Sequence, residues 1–245
     1  MISTKTVSRK NKQNLVLPLN YSNDLAEETG IHIGDGFMNI YKKDYASRYV
    51  YSGHATDDFE FSLYVKVLMK RLYNLNPSRE NIQKNTIMLH YSRKGLIEFK
   101  YKLGLPLGVK NNIKIPQWIM ENRKFKIACV KGIFATDGSL LFQKKYRTVN
   151  YYPQLKISSK SKELINQIYA IFNELNIKSS VCCDKEISIR HPNIIWLCFI
   201  YGRENLQKFV ETIGFSNPKH LRKYNNWKNN AGGDTSKSRG FVVSL

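Results

Sequence analysis

No apolar run in the 245 residues approaches the roughly 20 that a membrane-spanning helix requires. Met1 to Lys12 is polar and basic and lacks the apolar core of a secretory signal, so an intracellular location is expected, in cytoplasm, nucleoid or organelle. Cysteine is scarce. Cys129, Cys182, Cys183 and Cys198 form no CxxC pair, so neither a zinc site nor a disulfide framework is expected, and all four read as small buried hydrophobes. The five histidines are scattered, without an HExxH motif. A nucleotide-binding glycine fingerprint, a phosphate-cradling loop with its lysine and a Ser or Cys nucleophile constellation are all missing, which leaves hydrolysis as the reaction class open to this chain.

Acidic residues are also few. Nineteen Asp and Glu stand against 39 Lys and Arg, a formal charge of +20. An excess of this size points to a polyphosphate partner, because each cation set against a phosphate releases condensed counterions. Association with a ribosome, or charge serving solubility, is the plainer alternative. With 42% hydrophobic residues and 12% aromatics, the chain has ample material for packed cores.

What is present is a repeat. Gly30-Ile-His-Ile-Gly-Asp-Gly36 returns as Gly132-Ile-Phe-Ala-Thr-Asp-Gly138, with four of seven residues identical and Asp137 following Asp35 by 102 positions. A period of this length implies two similar half-domains instead of a solenoid. The first half reads as a helix from an Asp24 cap to about Gly34, strands at 37–43 and 48–55, and a helix capped by Asp57 or Asp58. Strands at 79–84 and 86–92 and a helix at 94–103 complete it. Gly36 suits a left-handed helix stop. The second half repeats the order: helix 123–135, strands 139–146 and 151–158, helix 161–174, strands 180–190 and 194–200, helix 203–213.

These patterns predict an α+β protein of two pseudo-symmetric αββαββα half-domains, each with a four-stranded antiparallel sheet. The half-domains are expected at 14–108 and 123–228, with a packed linker at 109–122 carrying Ile115, Trp118 and Ile119, and a tail at 229–245. Gly30, Gly34, Gly132 and Ala135 put small residues on one face of each repeated helix. If those faces cross, Asp35 and Asp137 meet at the negative ends of two helix dipoles. Two such carboxylates repel unless a divalent cation joins them, and hard oxygen donors suit Mg²⁺. Water attack on a phosphodiester is then a reasonable reaction. Taken singly, a helix ending in Asp-Gly is an ordinary C-terminus.

Thr29-Gly-Ile-His-Ile-Gly-Asp-Gly36 and Lys131-Gly-Ile-Phe-Ala-Thr-Asp-Gly138 resemble the two signature helices of a LAGLIDADG homing endonuclease, and the resemblance extends over about residues 24–228. Glu28 and His32 depart from it, standing where apolar residues are usual. The resemblance implies a monomer whose two sheets form a saddle over double-stranded DNA. It also implies Mg²⁺ held by Asp35, Asp137 and the carbonyls of Gly34 and Thr136, with Mn²⁺ or Ca²⁺ as substitutes. A basic residue after the last helix of each half would assist the transition state, here Lys110 and Lys219, each of which has a solvated lysine as its plain alternative. The implied product is a cut at a long asymmetric site leaving short 3′ overhangs. An intron RNA maturase and a catalytically silent DNA-binding regulator on the same scaffold are the alternatives, and retention of both acids favours cutting.

Strand alternation then assigns the reading faces. If Ile40 and Phe142 point inward, Asn39, Tyr41 and Lys43 share the DNA face with Arg48 and Ser52, and Arg79, Gln83 and Lys84 follow on a later strand. In the second sheet the same face carries Gln143, Lys145, Gln154, Lys156 and Ser158. These side chains match major-groove donor and acceptor chemistry. Phosphate contacts or plain solvation are the alternative for each. Arg9, Lys10, Lys12, Arg222, Lys223 and Lys228 are expected to touch backbone.

Overall fold

The computed structural model describes residues 14–41, 47–144, 150–188 and 191–229. Lys43, Lys145, Arg9, Lys10, Lys12 and the segment 230–245 lie outside the described residues.

The first half runs α1 (Asn23–Asp35), β1 (Gly36–Ile40), β2 (Ser47–His54), α2 (Phe59–Tyr73), β3 (Arg79–Gln83), β4 (Thr86–His90) and α3 (Lys94–Lys102). After a short helix α4 (Gln117–Met120) the order returns as α5 (Arg123–Asp137), β5 (Gly138–Lys144), β6 (Asn150–Ser159), α6 (Lys162–Glu174), β7 (Ser179–Ser188), β8 (His191–Tyr201) and α7 (Arg203–Thr212). A further helix, α8 (Pro218–Trp227), follows. The sheets have the same topology, β1-β2-β4-β3 and β5-β6-β8-β7, antiparallel throughout.

Local chemistry explains the element ends. Ser22, not Asp24, caps α1: its hydroxyl accepts the Leu25 amide at 3.1 Å, while Asp24 pairs with Arg71 at 2.8 Å. Asp58 precedes α2 without capping it, because its carboxylate is engaged elsewhere. Gly36 is extended (φ −83°, ψ 149°), not left-handed, and Gly138 matches it (φ −83°, ψ 152°). Glycine is needed there for space. A Cβ on Gly36 would lie 2.6 Å from the His32 Cα, and one on Gly138 would lie 2.3 Å from the Phe134 carbonyl oxygen. Helix therefore passes straight into strand, fixing each aspartate at the joint. Lys84, expected on a strand, lies with Asn85 in the β3–β4 turn, both at positive φ (46° and 60°).

One continuous core lies between sheets and helices. Phe61, Val65, Leu68 and Met69 of α2 meet Tyr49, Tyr51 and Leu89 of the first sheet; Ile165, Ile168 and Phe172 of α6 meet Leu155, Ile157, Cys198 and Ile200 of the second. Ile115 and Ile119 are buried with them, and Trp118 stacks on Tyr21 at 4.4 Å and donates to the Leu103 carbonyl at 3.2 Å. Cys129 and Cys198 are buried, but Cys182 and Cys183, on the edge strand β7, are exposed.

Of the two departures in the first motif, Glu28 is fully partnered and His32 is held by stacking, with both ring nitrogens buried and without a hydrogen bond among the described residues. Glu28 is buried but accepts from Tyr49 at 2.8 Å and Tyr73 at 2.9 Å and pairs with the buried Lys100 of α3 at 2.5 Å. A buried charge is tolerable only when paired and hydrogen-bonded in this way. His32 stacks on the Tyr49 ring at 5.2 Å, and burial, followed by the charges of Lys100 and Lys110, holds it well below the usual histidine pKa.

Candidate active site

The two motif helices cross at their glycines. A Cβ on Gly30 would stand 2.1 Å from the Cys129 carbonyl oxygen, and one on Gly132 would stand 2.2 Å from the Glu27 carbonyl oxygen. The crossing is reciprocal, so the sequence repeat has become a pseudo-twofold axis. Farther along, a Cβ on Gly34 would lie 2.0 Å from Thr136 Oγ1 and 3.2 Å from Asp137 Oδ2. The end of each helix therefore reaches the end of the other, and Asp35 and Asp137 face one place.

Both acids are only partly exposed, and their environment opposes ionisation. Burial, then the charges of Asp137 and Asp58, pushes Asp35 up to about 7, with Lys110 and Lys219 pulling the other way. Burial pushes Asp137 up to about 6. Two hard carboxylates held against their preference by fixed helices are a donor set that a divalent cation satisfies. Beside them lies a cleft of about 430 Å³ lined by Gly34, Lys110, Asn111, Asp137, Ser158 and Lys160, among others.

The two lysines reach this centre by different routes. Lys110, on the chain leaving α3, donates to the carbonyls of His32 (3.0 Å), Ile33 (2.8 Å) and Gly34 (2.5 Å), so it sits on the negative end of α1. It thus occupies one lone pair of the Gly34 carbonyl. Lys219, in the first turn of α8, pairs with Asp58 at 2.6 Å. Asn217 caps α8 through the Lys219 amide (3.1 Å) and donates to Asp58 (2.8 Å) and to the Ala135 carbonyl of α5 (2.9 Å). Burial disfavours the Asp58 charge, but these hydrogen bonds, that of the His54 amide and the Lys219 charge hold its pKa below the usual value. The sequence marks Asp58 only as a possible helix cap and gives Asn217 no role. Their signal is weak, one helix-start acid and one Asn-Pro, and their meeting depends on the two halves docking.

The sheet faces divide as alternation dictates. Met38 and Leu140 are buried, with Ile40 and Phe142 packed against the core, so Asn39 and Tyr41 lie opposite and Gln143 is exposed. Register places Asn39 opposite Arg48, Arg79 opposite His90, and Gln83 opposite Thr86. Ser52 pairs with Met88, so the outer face carries the expected Arg48, Ser52, Arg79 and Gln83. In the second sheet Lys156 lies opposite Phe199, and Ser158 opposite Leu197. Gln154 is buried on this face: it accepts from Gln143 and donates to the Tyr201 hydroxyl at 3.3 Å. Arg222, in α8, is paired with Glu60 of α2. Among the described residues no helix is long and apolar enough to cross a membrane.

Residues 124–214 match the LAGLIDADG-like domain family. The chain is 24% identical over 204 residues to the replication factor C small subunit of Methanocaldococcus jannaschii, a match that covers 83% of this chain and 10% of that protein. Among solved structures, the homing endonuclease I-DmoI in complex with DNA and calcium superposes with a TM-score of 0.57 at 19% identity, over 83% of this chain and 97% of that one. The LAGLIDADG homing endonuclease I-GzeII with its DNA target gives 0.59 at 11% identity, over 89% and 92%. Identities this low establish the fold alone. Residues 124–214 are thus similar to a LAGLIDADG-like domain, and both halves together have the pseudo-two-domain fold seen in the LAGLIDADG homing endonucleases.

Proposed function

We propose that the chain is a site-specific double-strand DNA endonuclease that hydrolyses phosphodiesters with a divalent metal, Mg²⁺ by preference, at a long asymmetric target, leaving short 3′ overhangs. The observation that carries this reading is the convergence of Asp35 and Asp137, two acids raised by burial at the crossing of the motif helices. Asp35 and Asp137 would hold the metal, with the Gly34 and Thr136 carbonyls as further donors. Bound there, the cation supplies an activated water and stabilises the leaving oxygen. Lys110 and Lys219 place positive charge beside the acids, where charge develops on the phosphate in the transition state.

The half-domains at 14–108 and 123–228, joined through 109–122, each present one sheet to one half of the target. The first reads through Asn39, Tyr41, Arg48, Ser52, Arg79 and Gln83, the second through Gln143, Lys156 and Ser158. Both acids lie in one chain, so the active species is a monomer. The net charge of +20 supports a nucleic-acid partner.

The test is cleavage of a randomised duplex library with and without Mg²⁺ by wild type, Asp35→Asn and Asp137→Asn. Metal-dependent cutting at one long site, lost in both variants, is expected. Tight DNA binding without cutting by folded wild type would replace the reading with a silent regulator; selective binding of intron RNA would replace it with a maturase.

A further inference from the structure

The pseudo-twofold symmetry of the backbone is broken at one point beside the acids. Asp58 and Ser161 are counterparts, each preceding the second helix of its half. Ser161 behaves as a neutral cap: its hydroxyl accepts the Leu164 amide at 3.3 Å and donates to the Ile113 carbonyl at 2.6 Å. Asp58 leaves its own helix uncapped and turns to the other half, where it accepts from Lys219 at 2.6 Å and Asn217 at 2.8 Å. The two lysines are therefore held unequally. Lys110, in the linker, rests on neutral carbonyls at the end of α1, whereas Lys219 is tethered to a buried carboxylate 161 positions away in sequence. Both Asp58 and Lys219 act on the charge of Asp35, so the tether ends beside the acid pair.

We propose that Asp58 is a positioning residue that holds Lys219 in place for one of the two strand cuts, so that the two strands of the target are cut by unlike machinery and at unequal rates. Asn217 completes the tether by tying Asp58 to the Ala135 carbonyl at the end of α5. The anion is required because Lys219 belongs to a long, freely rotating side chain, and only a fixed opposite charge keeps its ammonium at one point. Lys110 needs no such partner, since three carbonyls at a helix end already define its position.

This inference rests on the endonuclease reading, but its test includes a measurement that does not. In single-turnover cleavage of an end-labelled target, Asp58→Asn should slow the cut of one strand roughly 100-fold, the size of effect expected when a charged group is misplaced by about 1 Å. The other strand should change less than about twofold, and nicked duplex should accumulate. Lys219→Met should slow the same strand, and the double variant should be no slower than Lys219→Met, because residues acting as one unit are not additive. Trace acetylation of the free protein reports the tether without any cutting: Lys219 should react several-fold faster in Asp58→Asn than in wild type, while Lys110 keeps its rate. Equal slowing of both strands, unchanged cutting, or multiplying effects in the double variant would overturn the proposal. So would an unaltered acetylation rate at Lys219. If wild type cuts no duplex, the endonuclease reading fails on that result, and acetylation still decides whether Asp58 holds Lys219.

Discussion

Asp35 and Asp137 are held in protonation equilibria that oppose their metal-free charged forms. Their folded pKa values, about 7 and about 6, lie above those of a free aspartate, so between pH 4 and 7 the folded state binds more protons than the unfolded one. Their contribution is fully present below pH 4 and is lost as pH rises through 6 to 7. Asp35→Asn should therefore stabilise the metal-free protein at pH 8, by about 2 kcal/mol, and leave it unchanged at pH 4. Thermal melts at both values check this, and Mg²⁺ should narrow the difference at pH 8 by binding wild type. The buried Glu28–Lys100 pair makes the opposite kind of prediction. Lys100→Met should cost about 3–5 kcal/mol in urea unfolding, because Glu28 is left buried with only its tyrosine donors. Adding Glu28→Leu should recover much of that loss. A double variant no more stable than Lys100→Met would show that packing, not the orphaned charge, sets the cost.

The motif helices depend on two glycines whose Cβ positions are filled by the partner's backbone. Gly30→Ala or Gly132→Ala should destabilise by about 3 kcal/mol, since the blocking atoms are main-chain carbonyls that cannot rotate aside. Gly95→Ala is the control. Its new methyl would meet only a Leu15 side-chain carbon at 3.1 Å, and in the first turn of α3 alanine should be neutral or stabilising by up to about 1 kcal/mol. Chemical denaturation of the three variants distinguishes the cases. At this scale most of the fold was legible in advance. The spacing of Phe61, Val65, Leu68 and Met69, and the alternation through Tyr49 and Tyr51, are intrinsic to helix and strand periods. Helix α8 leaves little trace in the sequence pattern because its buried surface is small: His220 is its one buried residue, and Tyr224 and Trp227 only lean on the core.

For the whole molecule, one chain of 28.5 kDa should occupy one duplex, measurable by light scattering of the complex. If the basic surface holds duplex through its phosphates, as proposed, binding should weaken roughly 1000-fold between about 50 and 200 mM salt. Arg48→Ala should relax base preference in one half of the target only, whereas loss of a phosphate contact would weaken all sequences alike. The first sheet shows Arg48 and Arg79 on its outer face, and the second shows Lys156 among Leu197, Phe199 and Tyr201. The halves therefore share a backbone plan and differ in the side chains that their outer faces carry.

The sequence alone determined the repeat, the element order, the two acids and the glycines that bring them together, because each is written in local periodicity or in a motif that recurs. The resemblance to the LAGLIDADG motifs also pointed to Lys110 and Lys219 as candidates, although not to what holds them. That was decided by tertiary structure. The contacts joining Asp58 to Asn217 and Lys219 span 159 and 161 positions and exist only once one half is docked on the other. The same docking turned one helix-start aspartate from a cap into a tether, and within the second sheet Gln143 and Tyr201 engage a buried Gln154 on a face where alternation alone would leave it free. Periodicity fixes which way a side chain points; what it meets there depends on atoms far away in the chain.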